Sequence, residues 1–173
     1  MIGPLKNSPP LIEPRSLGFD VESQREFFLL SIKTIETEFT AAGIAGRPFA
    51  CLCLMDAIGI PVFELDRFCQ LLLDLGCVYF CAWVADCKRV HDLMDEIIVG
   101  EDPPMTYRGR IMTTWHSESL DDALFYLMDC TFPDEEAAPN GWDAALIISI
   151  GSIEWSATTA RYVGARCVRP PVG

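Results

Sequence analysis

Two histidines occur in the 173 residues, and His116 closes an apolar run, RIMTTWH, directly before Ser-Glu-Ser. An imidazole titrates near neutrality, so at an open strand end it can serve as general acid or base. Such a base needs an orienting carboxylate. Asp56, at the end of FACLCLMD, and Asp86, at the end of CVYFCAWVAD, stand where one could be supplied. His116 with Asp56 is therefore the candidate catalytic pair, Asp56 acting as orienter or metal ligand. Cys87 follows Asp86 and would open a helix, where a thiolate is stabilised, but as a nucleophile it needs a base that sequence cannot show. His91, inside KRVHDLMDE, reads as a surface or packing residue.

The candidate ligand-binding residues are Trp83, Asp86, Trp115, Glu118, Gly151 and Ser152. Trp83 and Trp115 end two apolar runs, and an aromatic ring there stacks on a base, grips a partner or closes the core. Gly151-Ser152 follows a strand and opens a helix, whose free N–H groups suit a phosphate or carboxylate. Asp56, Asp86 and Glu118 carry oxygens for a hard cation. Their spacing matches no known metal loop, and the chain has neither G-x-G-x-x-G nor a Walker lysine. No metal and no cofactor are expected. Each residue also has an ordinary role, since aspartates cap turns and a strand-end histidine often hydrogen-bonds locally.

The elements that must position these groups alternate. FACLCLMDA (49–57), CVYFCAWVAD (77–86), RIMTTWH (110–116) and WDAALIISIG (142–151) are short apolar runs, as in strands buried on both faces. Between the first two, Leu65, Phe68, Cys69 and Leu72 form a helical stripe that Gly76 ends. A helix follows from Cys87 to about Glu96, while IIVGEDPP reads as helix or strand. Ser119-x-x-Asp122 resembles a capping box, Leu120, Leu124, Leu127 and Met128 continue it, and a weaker helix starts at Ser152.

This order predicts a single three-layer α/β domain over residues 47–166. Its four-stranded, mainly parallel sheet would have the order 2-1-3-4, Rossmann-like in the flavodoxin or TIR manner. Strands one and three would meet at the reversal, bringing Asp56 and His116 to one crevice. Residues 1–19, rich in proline, read as an extended arm and 167–173 as a tail. Residues 20–46 read as an N-terminal helix with Asp20 as its cap, because Phe28, Ile32, Ile35 and Phe39 recur at i, i+4, i+7 and i+11. Phe27, Phe28, Leu29 and Leu30 give that helix more apolar surface than one stripe needs, which suggests a homodimer through it.

Half of the chain is hydrophobic and its mean hydropathy is +0.24, a folding composition. No apolar run reaches the roughly 20 residues of a membrane span, so no membrane association is expected. A net charge of −12 repels phosphate backbones and disfavours direct nucleic-acid binding. The eight cysteines include no C-x-x-C pair and sit mostly in apolar strands, as reduced structural residues do. Together these point to a soluble cytoplasmic protein.

CVYFCAWVADCKRVHDLMDEIIVG and IMTTWHSESLDDALFYLMDCTFPDE resemble a family of small uncharacterised bacterial proteins. The likeness rests on the strand-ending Cys-Ala-Trp, the His-Asp pair in the next helix and Thr-Thr-Trp-His, and covers about residues 47–155. It implies a bacterial, cytoplasmic α/β domain and supplies no activity.

The expected function is a non-enzymatic binding or regulatory protein that engages a protein partner or a small polar ligand at the C-terminal rim of its sheet. A small enzyme acting on a nucleotide-like ligand, with His116 as acid/base, is the alternative. A third is an acidic inhibitor of a nucleic-acid enzyme, which would need clustered carboxylates beyond Asp134, Glu135 and Glu136.

Overall fold

A computed structural model describes residues 11–100 and 107–169. Its chain order is β1 (Arg15–Asp20), β2 (Arg25–Ile32), β3 (Phe49–Leu54), α1 (Val62–Leu75), β4 (Cys77–Trp83), α2 (Cys87–Val99), β5 (Met112–His116), α3 (Leu120–Phe125), β6 (Ala144–Ile150) and α4 (Ile153–Gly164). A 3-10 turn, Tyr107–Arg110, leads into β5, and a π-helical turn, Tyr126–Cys130, prolongs α3.

One six-stranded sheet runs β1-β2-β6-β3-β4-β5. The β1–β2 pair is antiparallel, and every other neighbouring pair is parallel. The α/β alternation expected from residue 49 onward is present, but the four-stranded sheet of order 2-1-3-4 is not. The third expected strand, β5, pairs with β4 at the edge, and the reversal of order falls between β3 and β6.

The expected N-terminal helix over 20–46 is also absent, and a β-hairpin stands in its place. The FFLL centre of REFFLLSI is continuously apolar because β2 lies between two strands and buries both faces there, which erases the period of two. Phe28, Leu30 and Ile32 enter the core on one side, Phe27 and Leu29 on the other. Ile35 and Phe39 pack on the same side as Phe28 from an irregular segment, and so imitate a helical stripe. This burial accounts for the apolar excess and removes the argument for a homodimer through a helix. Asp20 does cap backbone, but in the hairpin turn: it accepts from the N–H groups of Glu22 and Ser23 and from the Ser23 hydroxyl, at 3.4, 3.3 and 2.6 Å.

The first ten residues of the expected arm and residues 170–173 of the tail lie outside the described residues, as do 101–104 of IIVGEDPP; 97–99 belong to α2. Val168 of the tail pairs with Phe19 along the outer edge of β1. Gly18 makes this approach possible: at its φ of 123° a Cβ would sit 2.6 Å from the Val168 carbonyl oxygen.

Strand residues alternate between two buried layers. On one face Phe49, Cys51, Phe80, Leu146 and Ile148 pack under α1 and α2. On the other Leu52, Tyr79, Trp83 and Ile147 pack under α3, the π turn and α4. A polar lock closes the second layer. Arg166 donates to Asp129 at 2.6 Å and to the buried Asp20 at 2.9 Å. Beside it, the Arg25 guanidinium lies 3.7 Å from the centre of the Trp142 ring. Burial pushes the Asp20 carboxyl up, but the Ser23 hydroxyl and the Arg166 charge outweigh it, and Asp20 titrates below its ordinary 3.8.

Arg166→Ala leaves a buried carboxylate without its cation and is expected to destabilise the fold by about 2–3 kcal/mol, read from the urea midpoint. Because the folded pKa is depressed, the Asp20 contribution is complete above pH 3.8 and is lost as pH falls through the folded value. Asp20→Asn should remove that part of the acid limb from a stability–pH profile.

Candidate functional site

The sheet presents its strand ends as a rim, and β5 divides that rim in two. Successive strand residues point to opposite faces, so Trp115 and His116 diverge. His116 faces the α3 layer and is 6 % exposed. Its Nδ1 lies 2.6 Å from a Glu118 carboxylate oxygen and its Nε2 3.0 Å from the Thr114 hydroxyl. Its ring packs 4.4 Å from the ring of Tyr126, centre to centre. The π turn begins at Tyr126, whose hydroxyl lies 2.8 Å from that of Tyr79. Burial, and then the Tyr126 hydroxyl, push the Tyr79 phenol up. Burial pushes the Glu118 carboxyl up too, but its own backbone N–H and the His116 ring outweigh it, and Glu118 stays below its ordinary 4.5.

Trp115 faces the α2 layer and is 48 % exposed. His91 supports the ring from below at 4.6 Å, and the Lys88 ammonium lies 5.7 Å from the ring centre. Lys88 is held by Asp92 at 2.6 Å, one turn along α2. Above them a cleft of about 410 Å³ opens between the ends of β4 and β5, bounded by Val84, Asp86, Lys88, Trp115 and Ser117.

The backbone of this cleft is strained. Val84 has φ 88° and Asp86 φ 60°. A β-branched residue in that region is an outlier. The surroundings impose it: the Val84 N–H donates to the His116 carbonyl, the Cys87 N–H donates to the Val84 carbonyl, and the Cys87 thiol donates to the His116 carbonyl at 3.3 Å. Arg89 then ties Asp86 to the β3–α1 loop. It donates to Asp86 at 2.5 Å, to the Ile60 carbonyl at 3.1 Å and to the Ala57 carbonyl.

The residues singled out in the sequence therefore separate. Asp86 and Trp115 share the cleft. His116 and Glu118 pair on the other face of β5, where the Trp83 indole N–H donates to the Glu118 carbonyl at 2.9 Å and its ring meets Trp155 edge-on at 5.4 Å. Asp56 lies beyond the end of β3, with β4 between it and β5, so roughly 10 Å of sheet separates it from His116. Its carboxylate accepts from the Ile58 N–H at 3.0 Å, an Asx turn. Ser152 caps α4 by accepting from the Trp155 N–H at 3.2 Å, and the Gly151 N–H donates to the Ile32 carbonyl.

Sequence reasoning placed Thr114 and Ser117 at the end of β5 without a role, and missed Val84 and Lys88 in the cleft and Tyr79 and Tyr126 around His116. The Thr-Thr-Trp-His run carried a signal for Thr114, since residues two apart on a strand share a face. Tyr126 arrives through a π turn that no local spacing announces.

All eight cysteines are free, and burial pushes the Cys69 and Cys81 thiols up to about 12, so both stay protonated at neutral pH. Among the described residues no group of three or more His, Cys, Asp or Glu side chains is placed to hold a metal ion. No described helix is long and apolar enough to cross a membrane.

Fold and rim together define an α/β domain with a mostly parallel six-stranded sheet and a small aromatic cleft at its edge. Residues 34–165 match the family described as a domain of unknown function, DUF7684, and the chain belongs to it. That agrees with the resemblance to an uncharacterised family. The match leaves the β1–β2 hairpin outside. Comparison with curated proteins finds no match.

Two substitutions at Val84 test the strain. Val84→Gly releases a conformation costing about 1–3 kcal/mol, whereas Val84→Ala loses the same branches and keeps the Cβ. In thermal unfolding the glycine variant should melt above the alanine variant. The reverse order would show that the left-handed backbone stores no strain.

Proposed function

We propose that this domain is a non-enzymatic binding or regulatory protein that engages a protein partner or a small polar ligand at the rim where β4 and β5 end. The reading rests on the split between Trp115 and His116. Both imidazole nitrogens are occupied, by Glu118 and Thr114, and the ring is buried, so His116 serves to hold the loop after β5. The adjacent indole is half-exposed over the cleft, braced by His91 and flanked by Lys88. A rigid aromatic anchor with polar neighbours is the usual centre of a binding hot spot. The polar neighbours Asp86 and Lys88 are already held by Arg89 and Asp92, which limits the entropy lost on binding. A bacterial, cytoplasmic setting completes the reading, supported by the family resemblance and by eight cysteines without a disulfide.

Complementation of a gene deletion in the native host separates binding from catalysis. Trp115→Ala should abolish complementation at a cost of roughly 1–2 kcal/mol, from the half of the ring packed on His91, and leave the protein folded. His116→Asn should destabilise the protein by roughly 1–3 kcal/mol, because it loses the bond to Thr114 and the ring contact with Tyr126, and should complement wherever the fold survives. A stable, folded His116→Asn variant that fails to complement, beside an active Trp115→Ala, would replace this reading with acid/base catalysis.

A further inference from the structure

A second surface lies apart from the β4–β5 cleft, where the irregular segment after β2 meets the first turns of α1. It is a groove of about 560 Å³, a size that accepts a few side chains. Its apolar lining is Leu11, Ile35, Phe39, Phe68 and Leu71. Phe68 is buried, while Leu71 and Leu11 stay 42 % and 49 % exposed. On α1 the lining residues Glu64, Arg67, Phe68 and Leu71 fall at i, i+3, i+4 and i+7, one face of the helix and about 10 Å of its length. Opposite, Ile35 and Phe39 frame Glu36 and Glu38.

The charges around this floor are unbalanced. Three carboxylates, Glu36, Glu38 and Glu64, border the groove against the single cation Arg67. None of the three makes an ion pair among the described residues, unlike Glu26, Asp86, Asp92 and Asp129 elsewhere in the fold. An apolar trough with unpaired carboxylates repels anionic lipid and nucleic acid and attracts cations. Opposite charge across such an edge speeds encounter and rejects wrong partners.

We propose that this groove docks a cationic peptide segment of a partner protein. Its aliphatic or aromatic side chains fill the trough between Ile35, Phe39 and Leu71, and its lysine or arginine side chains meet Glu36, Glu38 and Glu64. This surface is separate from the rim cleft, so the two readings stand or fall independently.

The test is fluorescence anisotropy with the full chain and a short fluorescein-labelled peptide of alternating leucine and lysine. The matched peptide carries glutamate for lysine. The lysine peptide should bind, more weakly as salt rises, and the glutamate peptide should not. The triple variant E36Q/E38Q/E64Q should raise Kd roughly ten-fold at an unchanged Tm, since three edge charges act together. Leu71→Asp should abolish binding. A control triple, D121N/E135Q/E154Q, changes carboxylates outside the groove and should bind like the parent. Equal weakening in the control, or an unchanged Kd in the groove triple, overturns the proposal in favour of bulk attraction to an acidic protein. Nuclear Overhauser contacts from Ile2 or Leu5 to Phe68 or Leu71 in the full chain overturn it in favour of the chain's own first residues. Concentration-dependent dimerisation abolished by Leu71→Asp overturns it in favour of a second copy.

Discussion

The sheet depends on its last strand arriving in its middle. AALIISI pairs with β2 along seven residues and with β3 along six, and every residue of β6 is buried. Without it the N-terminal hairpin and the β3-β4-β5 half share no ladder. Leu146, Ile147 and Ile148 are fully enclosed, and each contributes roughly 2 kcal/mol of transfer free energy before chain entropy is counted. The hairpin formed by residues 15–32 therefore meets its partner more than a hundred positions later. Contacts of that sequence separation are slow to form, because loop closure must precede them.

This placement organises the rim. The reversal of strand order lies between β3 and β6, where Gly151 bonds back to Ile32 and Ser152 caps α4. Backbone there is satisfied by backbone and by local side chains. The open, strained part of the rim lies at the other end, at β4 and β5, where β5 has a single strand neighbour. Val84 and Asp86 adopt left-handed conformations there because the chain must turn into α2 while remaining bonded to the end of β5. Strain of this kind persists only where surrounding contacts over-determine it, and it gathers at sites that bind or react.

Electrostatics follow the same division. The carboxylates that join elements, Asp20, Asp86, Asp129 and Asp143, are matched by Arg166, Arg89 and Arg47. These arginines use several donors at once, which suits positions where a loop must be fixed in register. Glu64 on α1 and Glu36 and Glu38 in the segment after β2, which make no ion pair among the described residues, add to the net charge of −12.

Residue pattern alone determined the alternation from Phe49 to Gly164. It placed β3, β4, β5 and β6 within a few residues of their ends, the Ser119 cap at α3 and the start of α4 at Ser152. Short apolar runs bounded by turn residues encode those elements locally. It also identified Trp115 and His116 as neighbours at a strand end. Tertiary structure decided what local pattern cannot carry. A strand buried on both faces shows no period, so β2 passed for a helix once Ile35 and Phe39 fell at helical spacing. Strand order is a matter of which ladders form between distant segments, so the sequence could not say that β4 would separate Asp56 from His116. Of the partners of His116, Glu118 and Thr114 are local, whereas Tyr126 was hidden for the same reason: it reaches the ring only because α3 and its π turn fold back onto that face of the sheet.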